Sequence, residues 1–287
     1  MKKVKIIECP RDAMQGITER FIPTEDKITY INALLKVGFD TLDFGSFVSP
    51  KAIPQMRDSA EVLSELDVKN SRTKLLAIVA NLRGAEEACK FSEIRYIGYP
   101  FSISEIFQMR NTGKTIEESV SLLTDLLTIC KNHNKELVAY LSMGFGNPYG
   151  DPWSVEIVSN WVKRLSDLGV KILSLSDTVG MADEITISEL FCNLIPLYPE
   201  IEFGAHLHTH PRNWFAKVDA AFGAGCYRFD GAILGFGGCP MAKDELTGNM
   251  PTEKLITYFS AKKIDISLNL LRFESAYNEA LKIFKGI

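Results

Sequence analysis

The segment His206-Leu207-His208 has the strongest chemical character in the chain. In an extended strand, alternate side chains share one face. Both imidazoles can therefore reach a single ion. Neutral imidazole suits divalent transition metals, and a carboxylate or amide oxygen suits harder ones. Three of the four histidines, His206, His208 and His210, fall within five residues. That concentration favours metal ligation over two histidines that merely cap a strand end. Asp12 offers the carboxylate, and Asn249, in Thr247-Gly248-Asn249, offers an amide oxygen. His210 is a third candidate on the same face. His133, in Lys131-Asn-His-Asn-Lys135, reads as a polar helix end.

Two further groups have the right residue types. In Arg11-Asp12-x-x-Gln15 the carboxylate can bind a metal while the guanidinium neutralises developing oxyanion charge. Taken alone, the motif reads as a salt-bridged surface turn. Gly237-Gly238-Cys239-Pro240 frames a thiol with glycines, which permit tight turns and close backbone approach. Such a thiol can donate or relay a proton. The other five cysteines fit buried structural positions. Gly144-x-Gly146 is too common a pattern to carry meaning, and residues 46–56, with two prolines, read as an ordered loop.

These residues need a frame that brings them together. Strand-like runs occur at 4–8, 41–44, 75–79, 95–98, 137–141, 172–175, 202–206 and 228–232. Most are separated by stretches of helical periodicity. Ile28, Ile31, Leu34 and Leu35 repeat apolar positions before Gly38. Residues 155–168 do the same before Gly169, and 217–222 end at Gly223 and Gly225. Thr115 and Glu118 resemble a capping box. About eight strand–helix units predict a (β/α)8 barrel. An open doubly wound sheet is the alternative. No linker or composition break appears, so one domain over 1–287 is expected, with a C-terminal helical extension over about 251–287. That extension would pack beneath the barrel or against a partner. In a barrel, the reactive residues fall just after strands: Arg11 and Asp12 after the first, Asp43 at the end of the second, Asp177 after the sixth, His206 and His208 ending the seventh, and Cys239 after the eighth. All would meet at the C-terminal rim, where barrel enzymes place their chemistry.

Composition narrows the class. The 287 residues are 46 % apolar and 24 % charged, with a formal net charge of −4. That is ample for a core. The scattered basic residues give no footprint for nucleic acid or an anionic membrane, but leave room for a local patch that meets an anionic small molecule. Six cysteines without a C-x-x-C pair read as reduced thiols of a cytoplasmic protein. No signal or transit segment and no membrane-spanning apolar run is visible.

With these residues assembled, the chain resembles the 3-hydroxy-3-methylglutaryl-CoA lyase family, among the metal-dependent barrel lyases related to isopropylmalate and homocitrate synthases. Arg11-Asp12-x-x-Gln15 and His206-x-His208 mark the wider group. Ser46-Phe-Val-Ser-Pro-Lys51, Pro54-Gln-Met56, Ser176-Asp-Thr-Val-Gly180, Gly237-Gly-Cys-Pro240 and Gly248-Asn249 mark the lyase branch. The resemblance implies that Asp12, His206, His208 and Asn249 ligate Mg2+ or Mn2+, that Arg11 stabilises an enolate oxygen, that Cys239 is the catalytic thiol, and that Asp177 lies near the metal. It implies an acyl-CoA substrate, cleaved to acetyl-CoA and acetoacetate in the usual case, and a homodimer. Asp43, Asp177 or a histidine would serve as base. The chain departs from the family pattern at Ala13, at Asp43 in place of a longer acid, at Thr209-His210 and at Asn147. These departures motivate an alternative: a related aldolase, lyase or condensing enzyme for another hydroxy or oxo acid. A non-catalytic metal- or acyl-binding homologue is a third reading, disfavoured by the full set of site residues.

Overall fold

The computed structural model describes residues 3–238 and 247–284. Its strands are β1 (Lys5–Glu8), β2 (Thr41–Ser46), β3 (Lys74–Ile78), β4 (Ile94–Ser102), β5 (Glu136–Ser142), β6 (Ile172–Asp177), β7 (Glu202–Thr209) and β8 (Arg228–Gly231). Each pairs in parallel with its neighbours in sequence, and β8 pairs with β1, so the sheet closes and has no edge. Each strand-like run expected from the sequence overlaps one of these strands, and closure excludes the open sheet.

Helices α1 (Pro10–Gln15) and α5 (Glu105–Thr112) are short insertions in the connections after β1 and β4. The outer layer is α2 (Thr24–Leu35), α3 (Ser59–Ser64), α4 (Leu82–Cys89), α6 (Ile116–Asn132), α7 (Val155–Asp167), α8 (Glu184–Leu197), α9 (Trp214–Gly223) and α10 (Thr252–Ala261). Local signals explain their limits. Thr115 Oγ1 accepts from the Glu118 backbone N–H at 3.1 Å, and Glu118 Oε2 accepts from the Thr115 N–H at 2.8 Å, completing the capping box of α6. Helix α7 starts at the Ser154 cap, buries Val158, Val162 and Leu165, and stops before Gly169, whose φ of +101° is readily adopted only by glycine.

Of the two helices in the C-terminal stretch, α10 completes the outer layer. The last, α11 (Leu270–Phe284), packs against α2. There Phe284 meets Tyr30 edge-on at 6.3 Å and stacks on Phe236 at 4.6 Å. The tail thus lies along the barrel's flank rather than beneath it. Among the described residues no helix is long and apolar enough to cross a membrane. The described cysteines are free thiols: Cys9, Cys89, Cys130 and Cys226 are buried and Cys192 is exposed.

Strand alternation sorts the core into two regions. Leu42, Phe44, Leu137, Ala139, Leu173, Leu175, Ala205, Leu207 and Phe229 face the helices in the main apolar core. Their neighbours in sequence face the lumen. On the side of β3–β6 the lumen holds a separate apolar cluster of Leu76, Ile78, Tyr96, Val138, Tyr140 and Ile172. On β2 and β8 it holds the buried polar residues Thr41, Asp43, Arg228 and Asp230. A further short strand, β9 (Gly248–Asn249), pairs antiparallel with β7, placing Asn249 opposite His208.

Candidate metal and active site

One ligand atom each from Asp12, His206 and His208 lies within 4.8 Å of the others. The two imidazoles project from one face of β7, as the alternation requires. Asp12 comes from the first turn of α1, where Pro10 starts the helix. Its Oδ1 accepts from Arg11 Nη1 at 2.7 Å and Gln15 Nε2 at 2.8 Å, and its Oδ2 accepts from Asn249 Nδ2 at 2.8 Å. Burial works to raise the Asp12 pKa. The positive Arg11, both histidines and the Asn249 hydrogen bond outweigh it and hold the carboxyl below its ordinary value.

The histidine tautomers follow from their partners. His206 Nδ1 lies 3.1 Å from Asp230 Oδ2. An ionised carboxylate only accepts, so Nδ1 carries the hydrogen and Nε2 presents its lone pair. His208 Nε2 stands 3.2 Å from that nitrogen. Burial, and then the charge of His206, push the His208 pKa down to about 4, so its ring is neutral near pH 7. Two ring nitrogens at this separation need a proton or a cation between them. Two converging imidazoles and one buried carboxylate are a donor set that fits a divalent cation. His210 is exposed, with Nδ1 turned toward the Arg212 N–H, and lies outside this set.

A cavity of about 430 Å³ opens onto these groups. Arg11, Asp12, His206 and His208 line it, with Ser142, Ser176 and Thr178 beside them. Val48, Ile53, Ile78 and Phe107 supply apolar wall, and Arg110 and Lys114 supply positive charge around α5. Arg11 bridges two carboxylates: Nε donates to Asp43 Oδ2 at 3.0 Å, Nη2 also donates to Asp43, and Nη1 donates to Asp12. A guanidinium has five N–H groups, so two remain for an oxygen in the cavity.

The other candidates separate from the cavity. Asp43 does not line it. The residue is fully buried behind Arg11, and burial raises its pKa to about 6 against the opposing pull of that cation. Asp177 does not line it either: Oδ2 accepts from Lys217 Nζ at 2.6 Å and Oδ1 accepts from the Ala182 N–H at 3.1 Å. The same Lys217 Nζ donates to the His208 carbonyl at 2.8 Å, so Asp177 meets the site through β7. Asn249 arrives with its amide nitrogen on Asp12, and its oxygen would face the carboxylate side only after an amide flip. Cys239 lies outside the described residues. The chain leading to it is described as far as Gly238, and Gly237 shows how close that chain passes. A Cβ there would sit 2.6 Å from the Asp12 carbonyl and 2.7 Å from Asn249 Nδ2, at a φ of +94°. Only glycine fits.

Sequence reading missed Asp230 and Lys217. Asp230 left a trace: Arg228 and Asp230 are charged residues at alternate positions of an otherwise apolar run, the pattern of a polar lumen face. Lys217 left none, because a lysine at a helix start is ordinarily solvated.

The fold and this donor set define a (β/α)8 barrel with a carboxylate and two imidazoles at its C-terminal rim. The chain belongs to the HMGL-like family, whose model matches residues 3–279. It is 34 % identical over 278 residues to the hydroxymethylglutaryl-CoA lyase YngG of Bacillus subtilis, covering 94 % of this chain and 88 % of that one. It is 31 % identical to a 3-hydroxy-3-isohexenylglutaryl-CoA/hydroxy-methylglutaryl-CoA lyase of Pseudomonas aeruginosa, covering 94 % and 89 %. Among solved structures, an HMG-CoA lyase of A. baumannii in complex with coenzyme A and 3-methylmalate superposes with a TM-score of 0.90 at 28 % identity, covering 98 % of this chain and 91 % of that one. The B. subtilis HMG-CoA lyase structure gives the same TM-score at 32 % identity, covering 98 % and 94 %.

Proposed function

We propose that the protein is a divalent-metal-dependent carbon–carbon lyase that cleaves 3-hydroxy-3-methylglutaryl-CoA to acetyl-CoA and acetoacetate. The observation that carries this reading is the convergence of Asp12, His206 and His208 within 4.8 Å, beside Arg11, on one cavity. The names of the family relatives supply the substrate. Asp12, His206 and His208 would hold Mg2+ or Mn2+, with Asn249 as a fourth ligand after its amide turns. When bound, such an ion supplies Lewis acidity toward the substrate's C3 hydroxyl and so lowers its pKa.

The chain's own residues do the rest. The C3 hydroxyl proton passes to a histidine of the cavity, the candidate base that remains once Asp43 and Asp177 lie behind its wall, and the C2–C3 bond breaks. The bonding electrons move onto C2 and the thioester carbonyl as an enolate, and the C3 oxygen becomes the ketone of acetoacetate. The two spare N–H groups of Arg11 meet the enolate oxygen. Asp43 holds Arg11 in place and keeps it charged. Cys239 returns a proton to C2 and yields acetyl-CoA. Among the described cavity residues Asp12 is the one carboxylate, so Asp43 and Asp177 act from behind Arg11 and β7 rather than as bases on the substrate. The CoA chain leaves the cavity past Arg110 and Lys114, which match its phosphates. The reading extends to a cytoplasmic homodimer of single-domain chains with no nucleic-acid or membrane partner.

Turnover of 3-hydroxy-3-methylglutaryl-CoA before and after EDTA tests the proposal. We expect loss of activity, restored by Mg2+ or Mn2+. Cleavage that survives chelation removes the metal from the reaction, and full activity in Cys239→Ala removes the thiol.

A further inference from the structure

The lumen beneath the metal donors holds a buried polar group that the reaction leaves unexplained. Asp230 is 2 % exposed. Its Oδ2 lies 3.1 Å from His206 Nδ1, with Ser174 Oγ a distant second partner at 3.5 Å. Among the described residues its buried Oδ1 has no hydrogen-bond partner. Arg228, two residues earlier and on the same side of β8, is 1 % exposed, and its Nε and Nη2 also have no partner among the described residues. Among the described residues its one side-chain hydrogen bond runs from Nη1 to Glu202 at 3.3 Å. A carboxylate and a guanidinium so sparsely bonded cost stability. Apolar side chains would fill the lumen at less cost, as they do on β3–β6. Packing therefore does not account for Asp230, but the orientation of His206 does.

We propose that Asp230 is a positioning residue for the metal centre, holding His206 with Nδ1 protonated so that Nε2 stays free for the ion. The inference rests on the metal-dependent reading above and names a residue that reading does not use. Its geometry is a carboxylate on one ring nitrogen and the ligand pocket on the other, an arrangement that fixes a coordinating histidine in its productive tautomer. Tyr140 braces the ring from the side, edge-on at 5.6 Å. Arg228 places a buried positive charge beside Asp230.

A competing arrangement also exists. Cys9, His206 and Asp230 present ligand atoms within 4.8 Å, so an ion could sit on the Nδ1 side of the ring instead. The structure argues against it. Cys9 Sγ faces the Ile7 carbonyl as a donor at 3.9 Å, and Asp230 already occupies Nδ1.

The test is Mn2+ binding without substrate, by calorimetry or electron paramagnetic resonance, on wild type, Asp230→Asn, Asp230→Glu and Cys9→Ser, with urea midpoints as the check on folding. We expect Asp230→Asn to weaken Mn2+ binding about 10- to 100-fold, Asp230→Glu to recover most of the loss, and Cys9→Ser to bind as wild type. Imidazole 15N spectra give a readout that needs no variant. In wild type, Mg2+ should move His206 Nε2 and leave Nδ1 protonated. Wild-type affinity in Asp230→Asn, or an Nδ1 resonance that responds to Mg2+, overturns the inference while leaving the lyase reading intact. A wild-type protein that binds no Mn2+ overturns both.

Discussion

At the scale of single residues, Arg11 shows how a charged group can be made useful by being mostly engaged. Three donors lock it to Asp43 and Asp12, which fixes the plane of the guanidinium before substrate arrives. The remaining N–H groups then meet developing charge without a reorganisation cost. Lysine cannot reproduce the fork. Arg11→Lys should lower kcat by about 10²- to 10³-fold with KM little changed. Asp43→Asn should lower kcat less, because the Asp12 contact survives. Steady-state kinetics check both, and a pure KM effect in Arg11→Lys would place the residue in ground-state binding instead. The position of these side chains was legible because strand alternation and strand order are sequence properties. Their division of labour was not. Asp43 and Asp177 both stood as candidate bases at the rim, yet one backs the guanidinium and the other pairs with Lys217.

At the scale of elements, the strands run further than their apolar stretches. The expected strands ended at 44, 98, 175 and 206, whereas β2, β4, β6 and β7 continue to Ser46, Ser102, Asp177 and Thr209. On β2, β6 and β7 the added residues include polar ones that keep the strand alternation, so hydrophobicity marks those ends too early, whereas on β4 the apolar Tyr99 and Phe101 carry the strand on across Pro100. The pairing of β9 with β7 was likewise invisible, since two residues carry no periodicity. That pairing delivers Asn249 to Asp12. Glu8, at the end of β1, gives an element-level prediction. Its carboxyl accepts from the Ile233 N–H and Thr252 Oγ1, tying the barrel seam to the start of α10. Burial raises its pKa from 4.5 to about 8, against the pull of those two hydrogen bonds. The folded state therefore holds a proton that the unfolded chain has lost. The associated stability is full below pH 4.5 and is lost as the pH rises through about 8. Within that window the slope is about 1.4 kcal/mol per pH unit. Urea unfolding across the window should show the decline, and Glu8→Gln should flatten it. An unchanged slope in the variant would assign the decline to other groups.

At the scale of the molecule, the site joins elements from both ends of the chain: α1 after β1, then β7 and β9. A bound ion therefore cross-links the closure of the barrel and should stabilise the whole fold. Mn2+ at about a hundredfold excess over its dissociation constant should add about 2.7 kcal/mol, seen as a raised midpoint of a single cooperative thermal transition. Sedimentation of the same samples should give twice the 32.1 kDa chain mass. A monomer would remove the dimer from the reading without touching the chemistry.

The divided lumen bears on how this chain can change over generations. On the β3–β6 side, Leu76, Val138 and Ile172 sit in one apolar cluster with Ile78, Tyr96 and Tyr140, so exchanges that conserve volume are nearly neutral there. On the β2 and β8 side, each charged group answers to another, and a lone substitution strands its neighbour. Natural drift and designed libraries can therefore explore one wall of the barrel residue by residue. The wall that holds the histidines can be altered only in matched pairs.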